Sequence, residues 1–182
     1  LSDYAHSRKI NRVRLIQPPI IYQRQLSQYM DFSFMRAGYS YARRELSSYL
    51  QLENTIEENL LKFKSTHRTA LRKAEKSEVG VWISEDFETF YSILQNNLSI
   101  RHNVNPTHTL SELQKLKKIF PDKIHLFGAY LRNEMIAGVV NFIINQKVVL
   151  AFYISHKQGY EDHRPVNLLI YNMIKWAIEK QL

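Results

Sequence analysis

Cysteine is absent from the 182 residues. That excludes disulfide staples, thiolate-bound metal and a cysteine nucleophile. Glycine is scarce: the five glycines stand at positions 38, 80, 128, 138 and 159, so no G-x-G-x-x-G dinucleotide turn and no P-loop can be built from them. The G-x-S-x-G elbow of the α/β-hydrolases is missing as well. No long apolar run occurs. The longest lies near Ile136–Ile144 and is interrupted by Asn141, far short of the roughly 18–20 residues that a membrane-spanning helix needs. No signal peptide is visible, although the chain begins at Leu1 rather than Met; with no dependence on disulfides, the cytoplasm is the expected location. His102 and His108 flank a polar loop, but no third ligand stands at a compatible spacing, so no metal site is expected.

What is present is a globular composition, 45% hydrophobic, 12% aromatic and 23% charged. There are 25 basic and 17 acidic residues, a net charge of +8. Such a balance attracts nucleic acid, anionic lipid or phosphorylated ligands such as coenzyme A, and is equally that of a solvated basic surface.

The first third is poorly patterned. Arg12–Ile16 reads as a strand ended by Gln17-Pro18-Pro19, because proline removes ladder donors, with Ile20–Tyr22 as an edge segment. Tyr29–Tyr41 is rich in aromatics and compatible with either state. Tyr41–Leu52 is a further candidate strand. From Thr55 onward the signals sharpen. Thr55 and Glu58 have capping-box spacing, and Ile56, Leu60, Phe63, His67, Ala70 and Ala74 recur at steps of three and four, which predicts one helix from Thr55 to Ser77. Lys64, Arg68, Arg72 and Lys76 form a basic stripe on it. Val79–Ile83 reads as a strand, Asp86–Leu98 as a helix, and Leu110–Phe120 as another, capped by Thr109. Three strands follow, His125–Leu131, Met135–Asn145 and Lys147–Ser155, joined by turns short enough for hairpins. The middle one is apolar nearly throughout and is therefore expected at the centre of the sheet. A polar loop, His156–Pro165, leads into a helix over Val166–Lys180. A strand feeding a helix in this way leaves free N–H groups at the positive end of the helix dipole, a site for an anion.

Two stretches carry a family resemblance. The first is His67-Arg-Thr-Ala-Leu-Arg-Lys-Ala-Glu-Lys76 leading into Val79-Gly-Val81. The second runs through Leu126–Tyr130, Ile136-Ala-Gly138 and Val148–Ser155 to Pro165-Val-Asn-Leu-Leu169. Together they resemble the GNAT N-acetyltransferase superfamily in its FemAB-like branch, over about Thr55 to Leu182. The resemblance implies an α+β fold with a central, mostly antiparallel sheet and flanking helices. It also implies that the sheet continues past the last helix, so that the core at 55–182 is C-terminally incomplete, with 1–54 an N-terminal segment or partial subdomain. The usual R/Q-x-x-G-x-G/A pyrophosphate motif is replaced by the loop around Gln158-Gly159-Tyr160.

The implied activity is transfer of an acyl group from acetyl-CoA or another acyl-CoA, or less readily from an aminoacyl-tRNA, to an amine on a small molecule or peptide. The implied donor-binding residues are Phe152, Tyr153, Ile154 and Ser155 of the last strand, Lys157, Gln158, Gly159 and Arg164 of the loop, and Val166, Asn167 and Leu168 of the helix start. Glu161 and His156 are the candidate bases, because the attacking amine must lose a proton. The rival expectation is a non-catalytic domain on the same fold that binds an anionic or nucleic-acid ligand through the basic stripe. Oligomeric state and acceptor are not readable from the residues.

Overall fold

Four strands form one antiparallel sheet in chain order: β1 (Val79–Ser84), β2 (Ile124–Leu131), β3 (Glu134–Asn145) and β4 (Val148–His156). The computed structural model describes residues 1–182 and divides into two units, Leu1–Ser48 and Tyr49–Leu182. The first unit holds helix α1 (Ser2–Ser7), a 3-10 turn at Ile20–Tyr22 and helix α2 (Tyr29–Arg36). The strands expected at Arg12–Ile16 and Tyr41–Leu52 do not form. Both stretches run without a ladder partner, and β propensity is realised only against a neighbouring strand.

The second unit carries the remaining helices: α3 (Ile56–Leu61), α4 (Ser65–Glu75), α5 (Phe87–His102), α6 (Leu110–Ile119) and α7 (Pro165–Glu179). The single helix expected over Thr55–Ser77 is broken at Lys62–Lys64. The Thr55–Glu58 capping box is present. The fully buried Asn59 then ties the entry down: its amide donates to the carbonyls of Glu53 and Thr55 and its oxygen accepts from Glu53 N–H. At the break, Lys64 is extended, and the Arg68 guanidinium donates to the Phe63 carbonyl at 2.7 Å. With that carbonyl satisfied by Arg68, a second helix begins at Ser65 behind Lys64, an N-cap that makes no side-chain bond, where 3.6-residue periodicity alone would continue the first. Thr109 caps α6 as expected, whereas Asp86, expected inside the helix, is the N-cap of α5 and accepts from Thr89 N–H, and the helix runs on to His102. The β2–β3 turn places Arg132 and Asn133 at positive φ, the backbone of a tight type I′ hairpin.

β3 lies between β2 and β4 and is buried on both faces from Met135 to Asn141, as its apolar run implies. One face packs under α4 and α7 through Leu71, Ala74, Phe127, Val139 and Leu169. The other packs under α5 through Phe90, Ile93, Leu94, Leu126 and Val140. Gly138 sets how closely α5 approaches: a Cβ there would lie 2.4 Å from the Phe90 ring. On the α7 side, His125 sits against the Trp176 ring with 5.2 Å between centroids. Burial pushes the imidazole below its ordinary range, partly offset by its bond to the Asp122 carbonyl. Asn141, paired with His125 across the ladder, is fully buried with neither amide atom bonded.

Candidate functional site

The end of β4 and the loop after it gather the polar groups. β4 is an edge strand. Lys157 N–H donates to Ile136 O at 2.7 Å, so by antiparallel alternation the N–H groups of His156 and Ile154 point to the open edge. Within β4 the ladder skips a residue. Tyr153 pairs with Val140 and Ala151 with Asn141, which leaves Phe152 as the extra residue of a β-bulge. Phe152 and Tyr153 both reach the His108 ring, at 5.4 and 6.2 Å between centroids, and Phe152 stacks on Phe142. The Tyr153 hydroxyl accepts from His108 N–H at 3.2 Å and lies 3.1 Å from its Nδ1. This ties the α5–α6 loop to the bulge. No sequence pattern announces the bulge.

Two residues beyond Tyr153, Ser155 is buried and accepts from the Asn97 amide of α5 at 3.0 Å. The Asn97 oxygen is buried with no partner. His156 lies with Nε2 3.1 Å from the Arg101 guanidinium and Nδ1 3.2 Å from the Lys157 carbonyl. Since the guanidinium can only donate, Nε2 accepts and Nδ1 carries the proton. Glu161 Oε1 stands 3.9 Å from that Nδ1, while Oε2 accepts from Gly159 N–H at 2.9 Å. The two candidate bases are thus neighbours. A pocket of about 360 Å³ opens beside them, between α5 and the ends of β3 and β4, lined by residues that include Asn96, Asn97, Met135, His156 and Gln158.

Lys157 and Tyr160 both donate to the Glu134 carboxylate at the start of β3. Sequence reasoning singled out Lys157 but not Glu134, which is far from it along the chain. The Lys157 bond holds the Glu134 carboxyl below its ordinary range, and the Glu134 bond in turn raises both Lys157 and Tyr160 above theirs. The signs fix the working window. The Glu134 contribution is present above about 4.5 and is lost as pH falls through its lowered value; those of Tyr160 and Lys157 are present below about 10.0 and 10.5 and are lost as pH rises through their raised values. An NMR titration of the Tyr160 ring should give a midpoint above that of an ordinary tyrosine, and Glu134→Gln should return it to normal.

At the far end of the loop, Arg164 takes a left-handed conformation (φ 52°) as the N-cap of α7, with Pro165 at the first helical position. No side chain caps this helix and its first turn carries no acid. Pro165 has no N–H, Asn167 and Leu168 N–H both bond back to Arg164 O, at 3.1 and 3.4 Å, and Val166 N–H has no backbone partner. Leu168, by contrast, is buried in the core with only its backbone near this end. The expected residues therefore fall in two groups, His156–Gln158 at the pocket and Arg164–Asn167 at the helix start, joined by the Gly159 turn. The basic stripe is divided. Arg68 is bound to Phe63, the nearby Lys73 pairs with Asp162 of the loop at 3.3 Å, and Arg72 on α4, with Lys64 and Lys76 at its two caps, remains exposed.

A profile of the acetyltransferase (GNAT) domain matches residues 62–182. A crystal structure of FemX superposes with a TM-score of 0.60 at 15% sequence identity, over 69% of this chain and 48% of FemX. The chain thus spans about half the length of that protein, and at this identity the likeness is one of fold. No curated protein matches the sequence.

Proposed function

The chain belongs to the acetyltransferase (GNAT) domain family, and from that membership we propose that it transfers an acyl group from an acyl-CoA to an amine. The observation that carries the reading is the uncapped, acid-free start of α7, set one short loop beyond an open-edged, bulged strand. A helix N-terminus with an unpartnered N–H favours a phosphate, and Arg164 adds a full positive charge. The absence of a glycine-rich turn is compatible with this, because Gly159 at φ +86° and Arg164 at φ 52° already supply the loop with left-handed residues. Backbone N–H groups of the β4 edge are suited to bind the oxygen on which negative charge gathers. The amine lone pair attacks the thioester carbonyl, a C–N bond forms, and the C–S bond breaks with its electrons leaving on sulfur. The proton lost by nitrogen passes to the protein and the thiolate takes up a proton. His156 would accept that proton at Nε2 once Arg101 turns aside, with Glu161 beside Nδ1 to stabilise the imidazolium. An acyl-CoA donor carries with it a cytoplasmic location.

Calorimetric titration of acetyl-CoA into the protein, with mass spectrometry of amine acceptors, tests the reading. No binding of any acyl-CoA, together with strongly salt-dependent binding of RNA, would sink it in favour of a non-catalytic anion-binding domain. Asn167→Asp separates fold from function. A carboxylate in the first turn should stabilise α7 by about 0.3–1 kcal/mol, yet repulsion of the donor phosphates should weaken acetyl-CoA binding by about tenfold, on the order of 1.4 kcal/mol. Urea denaturation and calorimetry should therefore move in opposite senses.

A further inference from the structure

We propose that the pocket between α5 and the end of β4 receives a saccharide, and that the amine acylated by this protein is carried on an amino sugar. The inference rests on the acyl-transfer reading for its chemistry and on the face of α5 for its specificity. The eleven residues from Thr89 to Ser99 include no charged side chain, in a chain that is 23% charged. The exposed members are Thr89, Ser92, Gln95, Asn96 and Ser99. None is hydrogen-bonded through its side chain within the protein. A solvated helix surface is ordinarily built from Lys, Glu, Arg and Gln, which favour the helix and pair at i,i+4. Ser, Thr and Asn are poorer helix formers because they compete for the backbone. A helix face that departs from this local preference, with no packing gain in return, points to a ligand.

The chemistry of the face specifies which ligand. Ser92 and Asn96 border both the 360 Å³ pocket and an adjoining depression of about 340 Å³ that extends to Ser99 and Asn105. The outer depression is lined wholly by uncharged polar residues, while Glu134, His156 and Lys157 close the far side of the inner pocket. Amides and hydroxyls both donate and accept, as the hydroxyls of a sugar require. Ile93 and Met135 form the floor of the inner pocket, each with only its edge reaching the opening. A cationic peptide amine would look for a free carboxylate. The one in this pocket, Glu134, is already occupied by Lys157 and Tyr160. An amine flanked by electron-withdrawing hydroxyls loses its proton more readily than a lysine side chain, which suits a site without an unpaired acid.

The test uses the full chain and ligand-observed NMR with two probes, glucosamine and a lysine-containing dipeptide, in the absence of donor, with acetyl-CoA titrated separately. Glucosamine is expected to bind and the dipeptide not to displace it. Asn96→Ala removes one hydrogen-bonding side chain from an exposed, better helix-forming position, so the protein stays folded and glucosamine affinity should fall by about fivefold. Ser92→Lys should abolish binding by filling the groove with a charged chain. Binding of the dipeptide in place of glucosamine, or glucosamine binding that ignores both substitutions, overturns the proposal. If the dipeptide is acetylated and glucosamine is not, the saccharide inference fails while acyl transfer stands. If glucosamine binds in the groove but acetyl-CoA does not bind at all, acyl transfer fails and the saccharide site stands.

Discussion

His156→Gln is expected to lower kcat for acyl transfer by about 100-fold, at the lower end of what a positioned proton acceptor contributes, while leaving acetyl-CoA affinity within a factor of about two. Glutamine is chosen because its oxygen can still accept from Arg101 and its amide can still donate to the Lys157 carbonyl, so both ends of the imidazole network keep partners. What it cannot do is take a proton. Glu161→Gln should give a smaller loss, because the carboxylate stands 3.9 Å from Nδ1 and acts through the imidazole. Its bond to Gly159 N–H is retained by the amide oxygen. If His156→Gln is inert and Glu161→Gln carries the full loss, the carboxylate is the base and the two roles exchange. Single-turnover measurements with saturating donor separate the chemical step from binding.

Phe90→Ala should be among the most destabilising single changes in this fold, by about 3–5 kcal/mol. The ring is fully buried at the centre of the cluster between α5 and the sheet and lies directly over the backbone of Gly138. Gly138→Ala should cost about 1–3 kcal/mol for the opposite reason. Its methyl would meet the Phe90 ring at 2.4 Å and a Leu126 methyl at 3.2 Å, and β3 is held on both sides and cannot yield. The two changes should therefore couple. In the double variant the alanine methyl fills space vacated by the ring, and the loss measured by urea denaturation should fall short of the sum by about 1 kcal/mol or more. Strict additivity would mean that α5 lifts away from the sheet in one of the single variants. That displacement would also part Asn97 from Ser155, so loss of acetyl transfer in folded Gly138→Ala protein would link this packing to the pocket.

From Thr55 onward the elements were legible because their signals are local. Thr55–Glu58 and Thr109–Glu112 mark two helix starts. The apolar run of Met135–Val140 marks the strand buried on both faces, and the last helix, expected from Val166, starts one residue earlier at Pro165. The break at Lys62–Lys64 was not legible, since it depends on Asn59 and Arg68 bonding to chosen carbonyls. The two candidate strands before Leu52 failed because a strand exists only against a partner. The site divides the same way. His156 was named from the density of titratable groups in the loop, Lys157 and Gln158 through the family resemblance, and the uncharged run Thr89–Ser99 was there to be read. The bulge at Phe152 is a matter of register, and register is set by the neighbouring strand. Arg101 meets His156 across 55 residues, and Glu134 meets Tyr160 across 26. By itself the sequence determined, from Thr55 onward and apart from the break at Lys62–Lys64, which segments are helix or strand, because capping and periodicity act over three or four residues. Only the tertiary structure decided which side chains face one another at the end of β4, because that depends on how closely α5 can settle onto a glycine in the middle of the sheet.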